Sequence, residues 1–315
     1  MAGTAARPVE DRPMLGIGLM LFTYFLFSCV DTSAKWLAYA GLPAAQLAFM
    51  RYFVHLFISI GLIARQGVSP SRFGTDQVGL VLLRSGLLVA CTILNFIAVR
   101  HLPLTLTSTI MFSSPIIICA LSGPVLGERV GVWRWSAILV GFCGILIAIR
   151  PFDAGFHWAV FLSLGNALAF AAYALITRKL SGTISTDTMQ LYTGLVGAAV
   201  LAPFALAAWQ MPATPLGWSL MIGLGLLGWL GHETLTRAHG YATASALTPF
   251  SYVFIIYLGV WSYAVFGELP DGWTVLGALV VTAAGMTIWL RERWLARRDP
   301  GRLVPRRAAE TGRPA

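Results

Sequence analysis

Charged residues are scarce in this sequence. Of its 315 residues, 11% are Asp, Glu, Lys or Arg and 57% are hydrophobic, whereas soluble domains carry about 25% charged residues. The mean hydropathy of +0.75 comes from apolar runs that recur from about Met14 to Leu290 with only short polar breaks. The composition excludes a soluble domain of any size and predicts a chain that lies almost entirely within a membrane.

The sequence also lacks the cysteine patterns that signal disulfides or metal sites. Its cysteines all fall within apolar runs, far apart and without metal-ligand spacing: Cys29, Cys91, Cys119 and Cys143. We therefore expect free thiols, no metal site and no bound cofactor. Residues 1–13 lack the apolar core and cleavage site of a removable signal peptide, so we expect the first helix to direct insertion.

Catalytic motifs are absent as well. "GLGLLG", Gly223–Gly228, fits a dinucleotide fingerprint but lies inside an apolar run without a preceding strand, so close helix packing explains it better. "HETLT", from His232, resembles the start of a zinc-protease motif, yet Thr236 stands where the second histidine is needed. A membrane-embedded enzyme is therefore a remote alternative. A receptor or structural membrane protein would bind a ligand without net flux.

Ten apolar runs have the length that a membrane-spanning helix needs, about 20 residues for roughly 30 Å of hydrocarbon. None alternates with the period of two that a transmembrane β-barrel requires, so the predicted fold class is an all-α integral membrane protein. Short breaks make successive helices antiparallel neighbours. The predicted helices are residues 14–38, 44–64, 78–99, 103–126, 132–150, 157–177, 187–209, 216–236, 242–266 and 272–290.

Lysine and arginine are distributed unevenly over the loops. With the N-terminus inside, the outer loops carry only Arg100 and Arg150. The positive-inside rule therefore predicts that both termini are cytoplasmic. A cluster follows the last run: Arg291, Arg293, Arg297, Arg298, Arg302, Arg306, Arg307 and Arg313. It accounts for most of the net charge of +9 and predicts contact with acidic lipid headgroups, not with nucleic acid.

The sequence contains an internal repeat. "RHLPLTLTS" from Arg100 and "RAHGYATAS" from Arg237 each precede an apolar run that ends in Gly-Glu, at Glu128 and Glu268, with Trp five residues later. Because each copy has five helices, the second enters the membrane from the opposite side, as in secondary transporters with a substrate site between inverted repeats. The predicted segments are a cytoplasmic tail at 1–13, repeats at 14–150 and 157–291, and a basic cytoplasmic tail at 292–315.

The pattern resembles the EamA-type transporters of the drug/metabolite transporter superfamily. The resemblance rests on the ten helices in two halves, on "DTSAKWL" closing the first helix and on Arg51 in the second, and it covers Leu15–Arg291. "AYALITRKL" and "VFGELPDGW" are similar to the bacterial branch that takes up riboflavin or S-adenosylmethionine. The resemblance implies a secondary transporter of the bacterial inner membrane that moves a small organic metabolite by alternating access, with an amino-acid or drug exporter as the alternative.

The two halves differ in the position of proline. Pro115 lies thirteen residues before Glu128, whereas Ile255 stands at the equivalent place before Glu268, and Pro249 lies further back. We therefore expect the backbone breaks of the fourth and ninth helices to lie at different places.

Ionisable side chains lie deep within the first two predicted helices. Asp31 and Arg51 are each ten residues from the turn at Gly41, so both lie roughly 15 Å along antiparallel helices. A charge at the bilayer centre costs at least ~2.5–3.5 kcal/mol and usually faces a partner or a cavity. We predict an Asp31–Arg51 pair that lines a cavity, with His55 one turn deeper. The alternative is a local bond from Asp31 to Lys35 at i+4, with Arg51 as a brace.

Polar residues recur in the second half. The offset between Arg100 and Arg237 aligns Asn95 of the third helix with His232, so both halves carry a polar residue at one depth. The neighbouring Glu233 is either a protonatable site that couples transport or an interfacial residue paired with Arg237 at i+4.

Three further features lie on the ninth, third and fifth predicted helices. Aromatic residues on the ninth helix share one face, on which a planar solute would stack or another helix would pack: Phe250, Phe254, Tyr257 and Trp261. Arg84, near the cytoplasmic end of the third helix, is expected to extend to the headgroups. Gly141 and Gly144 would allow a homodimer, which the sequence does not decide.

Overall fold

The computed structural model describes residues 12–65, 75–114, 116–118, 120–121, 132–151, 156–180, 183–241 and 247–298. Several features of the sequence lie outside these ranges: Cys119, Pro115, Glu128, residues 1–11 and the arginines beyond Arg298. Within the described part of the chain, helices joined by turns and short loops make up the structure.

Ten α-helices have defined bounds within the described residues: α1 Pro13–Tyr39, α2 Ala44–Arg65, α3 Val78–His101, α4 Leu104–Met111, α5 Val132–Ile149, α6 Val160–Leu180, α7 Thr186–Ala207, α8 Pro215–Tyr241, α9 Val253–Phe266 and α10 Gly272–Arg298. Most agree with the predicted ranges to within a few residues. α10 continues beyond the apolar run into the basic segment, where the Arg291 guanidinium lies 4.9 Å from the centre of the Trp133 ring.

The fourth and ninth predicted helices both contain a break. α4 ends at a turn at residues 112–113, after which the chain is helical again, and the 3-10 helix Thr248–Tyr252 precedes α9. The offset that aligns the two halves brings Phe112 onto Pro249. The expectation that the breaks lie at different places is therefore wrong, because a tightened turn interrupts both helices without requiring proline at the same position.

Local sequence signals set several of the helix ends. Pro13 begins α1, where its missing N–H costs no hydrogen bond. The Ser185 hydroxyl accepts a hydrogen bond of 3.2 Å from the Thr188 N–H at the start of α7. α9 ends at Gly267 with a φ of 68°, a conformation that glycine adopts readily. This last turn directs the following residue, Glu268, back towards α1.

In the part of the chain that the structure describes, six helices are long and apolar enough to cross a membrane, and three shorter apolar helices accompany them. Large apolar side chains such as Phe57, Leu139 and Phe204 are mostly exposed on the outside of the molecule. Such a surface is stable when it faces lipid. The chain is therefore an all-α, multi-pass membrane protein.

The principal helix pairs join the two halves of the chain. α1 packs on α8, α2 packs on α7 and α8, α3 packs on α6, and α5 packs on α10. Neither half contains its own complete set of packing partners, so the core forms only when both are present.

Glycines allow several of these helices to approach closely. A Cβ at Gly225 of α8 would lie 2.9 Å from the Arg51 carbonyl oxygen, and one at Gly228 would lie 3.2 Å from Arg51 Nε. The predicted packing role of "GLGLLG" is thus confirmed for these two glycines. Gly144 packs on Val281 of α10, so it serves contacts inside the chain and not an outward face.

Candidate functional site

One face of α3 carries the polar side chains around which the site is built. Arg84, Thr92 and Asn95 are spaced by eight and three residues, which places them on the same side of a helix. Asn95 Nδ2 donates to Asp31 Oδ1 of α1 at 2.9 Å, and Thr92 Oγ1 accepts from Arg51 Nη1 of α2 at 2.7 Å. α3 therefore holds both ionisable side chains, one turn apart.

The direct Asp31–Arg51 pair predicted from the sequence is not formed. No ion pair joins these two described residues, although they are close enough for their charges to interact. The alternative bond from Asp31 to Lys35 is not formed either, because Lys35 binds elsewhere. Both predictions used depth alone, whereas α3 lies against α1 and α2 and supplies a partner to each side chain.

The Arg51 side chain of α2 lies between polar groups of α3 and the backbone of α8. Its guanidinium carbon is 5.6 Å from the centre of the Tyr52 ring, whose hydroxyl is 2.6 Å from Thr92 Oγ1. On the other side, the Arg51 side chain packs on Gly228 of α8, where a Cβ would lie only 3.2 Å from Nε. Arg51 remains half-buried, and Thr92 is its hydrogen-bond partner among the described residues. Most of its N–H donors are thus available to a ligand.

Two histidines lie near Arg51. His55, one turn from Arg51, is 4% exposed, and its Nε2 has no hydrogen-bond partner among the described residues. His232 of α8 packs its ring 5.1 Å from that of Phe27 and is within electrostatic range of Arg51 and His55. The structure therefore brings Asp31, Asn95 and both histidines around Arg51.

Glu233 lies apart from this group. Its Oε1 accepts a hydrogen bond of 2.8 Å from Arg237 Nε, and the side chains are 32% and 66% exposed. This is the interfacial pair that one of the two interpretations predicts.

The aromatic face of the ninth helix packs against α1. The Phe254 and Tyr257 rings lie 5.7 Å from the rings of Tyr24 and Phe25, respectively. Trp261 Nε1 donates to Ser28 Oγ at 3.1 Å. Phe250 joins a small cluster around Met20 and Leu247. The face thus has a protein partner, as the packing interpretation predicts.

A buried ion pair joins α1 to the end of α9. Lys35 Nζ lies 2.6 Å from Glu268 Oε2 and donates to the Leu102 carbonyl at 3.2 Å. Lys35 is fully buried, between the Tyr39 and Phe266 rings. From the sequence, Glu268 is recognisable only as a landmark of the repeat, so this pair was not predicted. The sequence feature that could have predicted the pair is that Lys35 and Glu268 both lie near the ends of helices predicted to run in the same direction.

Arg84 does not extend to the headgroups, so that prediction is wrong. It is 5% exposed and donates to Thr177 Oγ1 at 2.8 Å, Thr193 Oγ1 at 3.0 Å and Tyr173 OH at 2.8 Å. The reason is that α6 and α7 cover α3 at this level and provide hydroxyl acceptors. Arg84 is a second buried cation near the site, with neutral partners.

A cleft lies next to the buried ion pair, lined in part by Leu102, His157, Arg150 and Asp271. Arg150 Nη2 is 3.6 Å from Asp271 Oδ2. Partial burial raises the pKa of Asp271, but hydrogen bonds from Thr274 and the Arg150 charge outweigh it and hold that pKa below its ordinary value. The Arg150–Asp271 pair therefore stays charged at neutral pH.

Comparison with known proteins identifies the family. The EamA-like transporter family model matches residues 14–150 and again residues 157–290. The chain belongs to the EamA-like transporter family. The resemblance inferred from the sequence is confirmed. Because the family and the relatives are transporters, the chain is a metabolite transporter and not an enzyme.

Three curated relatives cover nearly all of the chain. A riboflavin transporter of Vibrio cholerae is 31% identical over 89% of this chain and 95% of its own. A pseudopaline exporter, CntI, of Pseudomonas aeruginosa is 28% identical over 88% and 96%. An S-adenosylmethionine uptake transporter of Rickettsia bellii is 27% identical over 89% and 94%. A crystal structure with a TM-score of 0.61 and 16% identity, covering 90% of this chain and 98% of its own, shares the fold.

Proposed function

We propose that this protein is a secondary transporter of the bacterial inner membrane that works by alternating access. It has ten membrane-spanning helices in two inverted repeats, residues 14–150 and 157–291, and both termini are cytoplasmic. The helix pairing supports this arrangement. A shift of five helices converts the pair α1–α8 into α6–α3, while α2–α7 and α5–α10 are each converted into themselves. A twofold relation between halves produces such a pattern.

The observation that carries the proposal is the half-buried Arg51, deep in an apolar helix bundle, whose hydrogen-bond partner among the described residues is Thr92. A guanidinium at membrane depth is costly unless it faces a partner or a polar cavity. Arg51 lies where α2 and α3 of the first repeat meet α8 of the second. We assign the site to Asp31, Arg51, His55, Asn95 and His232.

Alternating access also requires a closure on each side of the site. The Lys35–Glu268 ion pair joins the first repeat to the second near the predicted outer ends of α1 and α9. We assign this pair as the outer closure. Under this proposal, an intact Lys35–Glu268 pair corresponds to a closed outer path to Arg51.

The relatives guide the choice of solute. Two of the three are named for riboflavin and S-adenosylmethionine, which supports a planar, cofactor-type metabolite as the substrate. The relative named as a pseudopaline exporter supports the alternative, an exporter of amino-acid-like compounds or drugs.

The test is flux into liposomes that contain the purified full chain. The panel includes riboflavin, S-adenosylmethionine and free amino acids, under a proton gradient and under counterflow. Wild-type protein is expected to give saturable flux of at least one solute. Gly228→Ala is expected to lower that flux, because its Cβ would lie 3.2 Å from Arg51 Nε.

The matched control is Gly223→Ala in the same helix, where a Cβ meets only Leu227 Cδ1 at 4.0 Å. It is expected to leave flux unchanged. A complete lack of saturable flux across the panel would contradict the transporter assignment. Equal flux in the two alanine variants would contradict the assignment of the residues around Arg51 as the site.

A further inference from the structure

Asp31 and Arg51 are opposite charges at the same level of the bundle that are kept apart. Asp31 accepts a hydrogen bond from Asn95, and Arg51 donates to Thr92, at 2.9 Å and 2.7 Å. Thr92 and Asn95 are three residues apart on α3, which corresponds to about 4.5 Å along the helix axis. The two charges interact electrostatically but form no ion pair.

Such an arrangement is costly in an apolar surrounding. Each charge loses hydration on burial, and the loss is offset best when the opposite charge is in direct contact with good hydrogen-bond geometry. Here each charge has one neutral partner on α3. Something that binds both side chains at once would recover the missing interaction energy.

A ligand must carry two opposite charges to do so. A plain anion would satisfy Arg51 and be repelled by Asp31, and a plain cation would do the reverse. A group with an ammonium and a carboxylate on one carbon satisfies both, since the ammonium donates to Asp31 and the carboxylate accepts the two parallel N–H groups of a guanidinium. Arg51 uses Nη1 for its hydrogen bond to Thr92, so its other N–H groups remain for such a carboxylate.

We propose that the gap between Asp31 and Arg51 binds the α-amino-acid head group of the transported solute, as in S-adenosylmethionine. The ammonium binds Asp31 and the carboxylate binds Arg51. This inference rests on the proposed function and narrows its substrate class: a solute without a zwitterionic head, such as riboflavin, does not fill the gap.

A matched pair of ligands tests the inference on the unmodified full chain in detergent micelles. S-adenosylmethionine and its decarboxylated form share the adenosyl group, the sulfonium and the ammonium, and differ in the carboxylate. Titration calorimetry is expected to show that the decarboxylated form binds roughly tenfold to a hundredfold more weakly, because a charge-assisted hydrogen-bonded pair is lost.

Variants identify which side chain binds the carboxylate and which binds the ammonium. Arg51→Gln is expected to weaken S-adenosylmethionine binding to within about twofold of the decarboxylated form. Arg100→Gln makes the same change at an exposed position of α3 and is expected to keep the full ratio. Asp31→Asn is expected to weaken both ligands together, because both carry the ammonium, and to leave their ratio unchanged.

Equal affinity of the wild-type protein for the two ligands, or no measurable binding of S-adenosylmethionine, would overturn the inference without need of any variant. The liposome panel separates this outcome from failure of the proposed function. Saturable riboflavin flux with no S-adenosylmethionine binding removes the head-group site and keeps the transporter. No flux of any solute removes the transporter itself.

Discussion

Hydroxyl groups, and no described carboxylate, hold the Arg84 cation. Thr177 Oγ1 donates to the Tyr173 carbonyl at 2.7 Å, and Thr193 Oγ1 donates to the Met189 carbonyl at 2.8 Å. Each threonine thus uses its proton on its own helix and presents lone pairs to the guanidinium. Loss of Arg84 leaves neither threonine with an unsatisfied hydrogen-bond donor. This determines the expected effect of substitutions at Arg84 on stability.

We predict that Arg84→Met keeps or raises the melting temperature in detergent, because methionine fills most of the volume and removes a buried charge. Arg84→Ala leaves a cavity and is expected to lower the free energy of unfolding by about 2–4 kcal/mol relative to the Met variant. Thermal melting of the purified variants measures the difference. Equal destabilisation by both would mean that the charge itself is needed for folding.

Glu268 and Lys35 connect two helices that are far apart in the chain, and their surroundings are unequal. The Lys35 side chain is 0% exposed and that of Glu268 is 28% exposed. Ser262 Oγ also donates to Glu268 Oε2, at 3.2 Å. An unpaired Glu268 carboxylate can be hydrated, whereas an unpaired Lys35 ammonium cannot. Loss of the carboxylate is therefore expected to be more destabilising than loss of the ammonium.

We predict that Glu268→Gln is more destabilising than Lys35→Met, by up to about 3 kcal/mol, because it leaves a buried ammonium without a counter-charge. The double variant is expected to recover most of the loss, as measured by thermal melting.

Cysteine labelling tests whether the Lys35–Glu268 pair closes the outer path. In a chain without the native cysteines, Ser262→Cys, at a position that is 0% exposed, is expected to react slowly with a membrane-impermeant reagent applied from outside. Adding Glu268→Gln is expected to make it react faster. Unchanged labelling would show that the pair ties α1 to α9 without closing a path.

The orientation of the whole molecule is tested by reporters fused at four points. Those after Gly41 and Ala154 are expected to lie outside, and those after Ser181 and Arg298 inside, because positively charged segments stay in the cytoplasm. Alkaline phosphatase and fluorescent-protein fusions distinguish the two sides. An outside location for Arg298 would overturn both the ten-span arrangement and the orientation of the basic tail.

The helices could be predicted from the sequence, because bilayer thickness sets the length of each apolar run and glycine or proline marks its ends. The partners of the buried charges could not. The depth of a residue along a helix can be counted from the sequence. The side chains that it contacts depend on which other helices pack at that depth. The sequence predicts that Asp31 and Arg51 lie at the same depth. In the structure they bind Asn95 and Thr92, which are one turn apart on α3. Arg84 was misassigned because the covering helices α6 and α7 are distant in the chain.

The pairing of α1 with α8 determines when, during synthesis of the chain, the site can form. Roughly 180 residues separate the end of α1 from the start of α8, and synthesis at about 5–20 residues per second makes α1 wait roughly 10–40 s for its main partner. Lys35 waits longer still, until Glu268 leaves the ribosome. During this interval the polar side of α1 has only the first few helices to shield it from lipid. The site is therefore finished near the end of synthesis, and a chain that stops before α8 cannot form it.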